Sequence, residues 1–103
     1  MDASVLREKL SKEVARVAWA PLASHNERDH LWLLQGLELV DVGVAVASDA
    51  SAEVGAWIQN GQLRRPSQAE IQSWESDPKA QHFEFLIVQP FVLAIEREGP
   101  EPV

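Results

Sequence analysis

Histidine, carboxylate and guanidinium groups crowd into one run, His25-Asn26-Glu27-Arg28-Asp29-His30, the densest set of chemically competent side chains in the chain. On a helical turn His25 and Asp29 stand one turn apart on the same face, and an imidazole and a carboxylate so placed can share a divalent ion, with His30 or a distant aspartate completing the shell. No HExxH-type spacing accompanies them. The same residues also make a capped, solvated turn in which Arg28 pairs with Asp29 or a neighbouring carboxylate. That reading asks less of the spacing, so no metal or cofactor is expected.

Asp41 is the single charge inside an otherwise apolar segment. A carboxylate buried there would have a raised pKa suited to acid-base work, although such groups more often pair structurally, here with Arg28 or an indole N–H. Arg64-Arg65 precede a helix start and form the only basic doublet, a candidate anion-binding pair. Ser24 beside His25 is not a nucleophile and its base, because sequence neighbours need not face one another.

Composition removes several mechanisms. The chain has no cysteine, so disulfides, thiolate zinc sites and cysteine nucleophiles are all excluded. Nine basic and sixteen acidic residues give a net charge of −7, which disfavours nucleic acid and anionic membranes as partners. The charged N-terminus MDASVLREKLSKE does not read as a signal peptide, and the longest apolar run is interrupted by Gln89 and Pro90. A soluble, cytoplasmic protein is expected, with one compact domain over residues 3–97 and a disordered acidic tail over 98–103.

The elements that must position these groups follow from periodicity. Leu6, Leu10, Val14 and Val17 predict an amphipathic helix near 3–18, ending before Pro21. Ser24 and Glu27 match a capping box that would open one helical turn, and His30 to Gln35 reads as a short strand. Residues 37–48 admit two readings: alternating Val40, Val42, Val44 and Val46 suggest a strand, whereas Leu37, Val40 and Val44 share a helical face. The helix is favoured, with a three-stranded meander as the alternative. Val54, Trp57 and Ile58 predict a helix near 51–60 stopped by Asn60-Gly61. Ser67 and Glu70 predict a capped helix near 67–76 that ends at Asp77-Pro78.

The segment Phe83 to Glu96, FEFLIVQPFVLAIE, is apolar throughout and cannot be helical across Pro90. It reads as one long strand with Phe83, Phe85, Ile87, Phe91, Leu93 and Ile95 on a core face. The middle of its other face is also covered, and its pairing is blunted on the side where Pro90 lacks a donor. The expected fold is α+β, a small antiparallel sheet of strands near 30–35 and 83–96 with about four helices on one face.

LELVDVGVAVASD, VGAWIQNGQLRRPSQAEIQSW and FEFLIVQPFVLAIE, in that order, together with the Trp19 and His25/Arg28-Asp29 segments, resemble a family of small bacterial proteins, domain-of-unknown-function family 2288. The resemblance runs from Leu6 to about Glu96 and brings no catalytic residues. The chain departs from the family pattern at Glu38, where an aspartate is usual, and at Ala50. With no catalytic constellation and with apolar strands that so short a chain only partly covers, the expectation is a non-enzymatic interaction or assembly module, partnered by another protein or by itself as a homodimer. The alternative is a small metal- or anion-dependent enzyme or ligand-binding protein using His25, Arg28, Asp29 and His30.

Overall fold

The apolar run at the C-terminus is folded back on itself. In the computed structural model, which describes residues 3–100, strand β4 (Gln81–Val88) and strand β5 (Phe91–Glu98) form an antiparallel hairpin joined by Gln89 and Pro90, whose peptide bond is cis. Pro90 therefore occupies a tight turn, where its missing donor interrupts no ladder. The single long strand expected from periodicity is overturned.

This turn decides which side chains share a face. Val88 pairs with Phe91, Ile87 with Val92 and Phe85 with Ala94, so odd residues of β4 stand beside even residues of β5. Phe83, Val92 and Ala94 face one side, and Leu86 and Leu93 the other. Phe91, Leu93 and Ile95 thus lie opposite the face that a continuous strand would assign them.

The remaining elements, in chain order, are helix α1 (Ala3–Ser11), strand β1 (Ala15–Val17), helix α2 (Trp19–Glu27), strand β2 (Leu31–Leu34), helices α3 (Leu39–Ala47) and α4 (Ser51–Gln59), strand β3 (Leu63–Arg64) and helix α5 (Gln68–Ser76). The sheet order is β1-β4-β5-β2-β3, and it is mixed rather than purely antiparallel: β2 runs parallel to β5, with Leu31 beside Val92 and Leu33 beside Ala94. The expected adjacency of these two segments holds while the direction differs, because α3, α4 and α5 lie between them and supply the long crossover that a parallel pair requires.

Helices cover both faces, not one. Trp19 and Leu22 of α2 and Trp74 of α5 pack with Leu31, Leu33, Phe83, Val92 and Ala94 on one side. Leu10 of α1, Leu39 and Val42 of α3, and Val54 and Trp57 of α4 pack with Leu34, Leu63, Leu86 and Leu93 on the other. A sheet apolar on both faces requires this three-layer arrangement. Trp19, Trp74 and Phe83 form an aromatic cluster with centroids 4.9–6.0 Å apart, and the Trp74 indole donates to Glu96 Oε2 at 2.6 Å.

Two early boundaries are corrected. The first helix stops at Ser11 instead of continuing to residue 18, because Ala15–Val17 gains more by pairing with Phe83–Phe85 along the sheet edge than by extending a short amphipathic helix. Pro21 lies in the first turn of α2, where a missing N–H removes no intrahelical bond, so the proline that seemed to end one helix helps begin another. Ser24 is inside α2 and caps nothing, since the helix starts after Ala18. Two residues of the expected tail are ordered: Glu98 belongs to β5, and Gly99 N–H donates to the Ala80 carbonyl at 2.8 Å. Residues 101–103 lie outside the described residues.

The helices expected near 37–48, 51–60 and 67–76 are present. Gly61, at φ +74°, supplies the left-handed residue after α4. At the start of α5 the capping box is complete, with Glu70 N–H donating to Ser67 Oγ and Ser67 N–H to Glu70 Oε1. Arg64 then grips both Glu70 oxygens, at 2.7 and 2.8 Å, tying β3 to α5. That guanidinium, helped by the Ser67 N–H, holds the Glu70 carboxyl down to about 2 from an ordinary 4.5.

A carboxyl whose folded pKa is depressed contributes stability that is present above about pH 4.5 and lost as pH falls toward about 2. Glu70→Gln is expected to lower stability by about 2 kcal/mol at neutral pH, a figure reduced for the partial exposure of the pair. The gap from the parent is expected to narrow between pH 4.5 and about 2. Urea unfolding at neutral and acid pH checks it, and a gap constant with pH would show that Glu70 acts without its charge.

Candidate apolar cleft and the polar turn

On the α3/α4 side of the sheet the helices leave part of the strand surface open. Trp32 of β2, Leu63 of β3 and Leu93 of β5 form the floor of a cleft of about 310 Å³, with Phe91 of β5 at its edge. Its walls are Ala45 and Val46 of α3, Val54 and Ile58 of α4, and the corner Asp49-Ala50-Ser51. The lining is overwhelmingly apolar. Ile58 and Phe91 remain 43% and 36% exposed, so large hydrophobic surface faces solvent at the mouth.

The corner holding the cleft open has a local cause. α3 ends at Ala47, and Asp49 adopts a left-handed backbone at φ +55°, a conformation aspartate tolerates better than most residues. Ala50 N–H then donates to the Ala45 carbonyl and Val54 N–H to the Ala50 carbonyl, so α4 departs at once in a new direction. No side chain caps α4. A second depression adjoins the cleft and shares Ala45 and Ala50 with it; Glu38, Asp41, Glu53 and Arg7 stand around it.

The polar residues singled out in the sequence are distributed differently. His25 is in the last turn of α2, Arg28 follows the helix exposed, Asp29 takes a left-handed backbone at φ +62°, and His30 leads into β2. Arg65 organises this turn. Its Nη1 donates to the Leu31 carbonyl at 2.6 Å, and its Nη2 donates to the Asn26 carbonyl at 2.8 Å, to Asn26 Oδ1 at 2.9 Å and to Asp29 Oδ1 at 3.1 Å. One residue from each candidate site, Arg65 and Asp29, therefore meet as partners.

Arg64 is held by Glu70, so both guanidiniums of the doublet are engaged by protein acceptors. Asp41 stands on the other side of the sheet, exposed and paired with Arg7, not with Arg28 or an indole. Among the described residues no group of three or more His, Asp or Glu side chains is arranged to hold a metal ion.

The cleft residues were not legible as a set. Phe91 reads as core in a continuous strand, and only the hairpin turn sends it to the α3/α4 face. One signal was available: from Asp29 to Leu63 the chain contains no lysine or arginine, so this whole stretch presents only apolar, polar or acidic groups.

Together these features define a small three-layer α+β domain, built on a five-stranded mixed sheet and carrying a solvent-open apolar cleft on one helical layer. The chain belongs to the family described as "Protein of unknown function (DUF2288)", which it matches over residues 5–96. It is also similar to a protein of Pseudomonas aeruginosa, PA1075, whose solution structure was determined by NMR. Identity to that protein is 32%, the TM-score is 0.73, and the match covers 91% of this chain and 86% of that one. No functionally curated protein matches the chain. Among the described residues, no helix is long and apolar enough to cross a membrane.

Proposed function

We propose that the protein is a non-catalytic interaction module whose α3/α4 cleft receives a bulky apolar side chain of a protein partner. The observation that carries this reading is the conjunction of a cleft floored by Trp32, Leu63 and Leu93 with exposed Ile58 and Phe91 at its mouth. Its volume, near the lower end of the roughly 300–1,000 Å³ typical of binding pockets, suits one large side chain better than an extended cofactor. Burying an aromatic side chain of roughly 150–250 Å² there is worth about 4–6 kcal/mol before ordering costs. That suffices for an anchor and falls short of a whole interface.

The alternative, catalysis by His25, Arg28, Asp29 and His30, has less support. Arg65 engages the Asp29 carboxylate, and the neighbouring backbone acceptors are drawn into the same clamp. This is the arrangement of a structural corner.

The test uses Nile red, a neutral apolar dye, titrated into the full chain. The expected result is saturable one-to-one binding that weakens at least about tenfold in Ile58→Glu and in Phe91→Asp, both at exposed positions, with unchanged circular dichroism. Dye binding that ignores both substitutions would reject the cleft as the binding surface.

A further inference from the structure

Around the cleft and the depression beside it, the charge left outside ion pairs is of one sign, since Arg7 is paired with Asp41. Asp29, Glu38, Asp41, Asp49 and Glu53 are the only formally charged side chains between Asp29 and Leu63. Asp49 lines the cleft itself, and Glu38 and Glu53 line the depression that adjoins it through Ala45 and Ala50. Asp41 is neutralised by Arg7, whereas Glu38, Asp49 and Glu53 form no ion pair among the described residues. All three are exposed. An apolar slot with the Asp49 carboxylate in its wall, and those of Glu53 and Glu38 on the adjoining depression, is complementary to a segment that offers an apolar ridge flanked by cations, and it repels one flanked by anions.

We infer that the partner of this cleft is a basic amphipathic segment of another protein, its apolar residue seated beside Ile58 and Phe91 and its lysines or arginines against Asp49, Glu53 and Glu38. This inference rests on the cleft reading and adds the charge of what occupies it. The apolar slot supplies the anchor, and the carboxylate rim selects against acidic sequences and accelerates encounter with basic ones.

The experiment measures fluorescence anisotropy of a labelled leucine/lysine amphipathic peptide of about eighteen residues, against a peptide in which every lysine is glutamate. The expected result is binding of the lysine peptide at least about tenfold tighter than the glutamate peptide, weakened by about 0.5 M salt and by the double substitution Asp49→Asn, Glu53→Gln. Ile58→Glu, which blocks the slot, is expected to abolish the dye and leave only weak, salt-labile peptide binding.

Equal affinity for the two peptides, or indifference to the carboxylate substitutions, overturns the basic partner. If Nile red still binds in a manner sensitive to Ile58→Glu, the cleft reading survives that failure; if it does not, both fail. Sedimentation showing a dimer that Phe91→Asp dissociates would assign the cleft to a second copy and likewise overturn the inference.

Discussion

Gly43→Leu is expected to lower the stability of the fold by at least about 3 kcal/mol, the largest effect of any single exchange proposed for this chain. Gly43 is buried on the face of α3 that rests on the sheet. A Cβ at this position would stand 2.7 Å from Leu86 Cδ2 and 3.2 Å from Leu10 Cδ1. Leu86 is fully buried beneath the helix, so its methyl has no free space to swing into, and Leu10 closes the gap from α1. A four-carbon side chain must therefore lift α3 from β4 and separate it from α1. Against a total stability of roughly 5–15 kcal/mol this is a large fraction.

Gly43→Ala separates crowding from helix propensity. Alanine in a helix interior gains about 1 kcal/mol over glycine, and the displaced Leu86 methyl offsets a similar amount, so this variant is expected within about 1 kcal/mol of the parent. Equilibrium urea unfolding of the pair checks the claim. Equal stability of Gly43→Leu and Gly43→Ala would mean that α3 does not depend on close approach at this residue.

Arg65→Met is expected to cost about 3 kcal/mol while retaining most of the aliphatic stem. The guanidinium satisfies the Leu31 and Asn26 carbonyls as well as the Asn26 and Asp29 side chains, and Leu31 is fully buried. Removing the charged donor leaves the Leu31 carbonyl without this partner, which is the expensive half of breaking a hydrogen bond, whereas the Asn26 carbonyl keeps the Asp29 N–H. For a domain of this size the melting temperature falls by roughly 10–20 °C. Arg65→Lys is expected to recover less than half of the loss, because an ammonium cannot reproduce a planar fork that reaches two carbonyls from two nitrogens. A thermal melt of Arg65→Lys indistinguishable from the parent would show that charge alone, without the fork, holds the turn.

Local signals carried much of this architecture. The Ser67-Glu70 box, the Asn60-Gly61 stop and the helical character of residues 39–47 and 51–59 are written within a few residues of where they act, although α3 buries Leu39, Val42, Gly43 and Ala45 rather than the Leu37, Val40 and Val44 face. What escaped is non-local. Alternation with period two runs unbroken through Gln89-Pro90, so nothing in the pattern distinguishes a strand from a hairpin whose two arms exchange parity. β1 displaces the end of a plausible helix only because Phe83–Phe85 offers an edge, and two-residue β3 has too few residues to show any period.

The candidate site shows the same division. Arg65 and Asp29 were each legible as functional groups, yet their mutual engagement depends on a contact across 36 positions of chain. The cleft needed the hairpin turn, the α3/α4 corner and the parallel β2/β5 pairing all at once, and no short window contains the three.

The sheet ends on both sides in stubs, three residues of β1 and two of β3. Such short outermost strands offer a neighbouring chain little main chain of their own to pair with, which disfavours uncontrolled edge-to-edge growth. Main-chain hydrogen bonding is the least selective form of recognition, since every sequence carries the same amide groups. With that route curtailed, whatever this molecule recognises must read the identity of its side chains. Two chains with this same backbone can then serve different partners by exchanging a handful of residues at the cleft and its acidic margin, leaving the scaffold untouched.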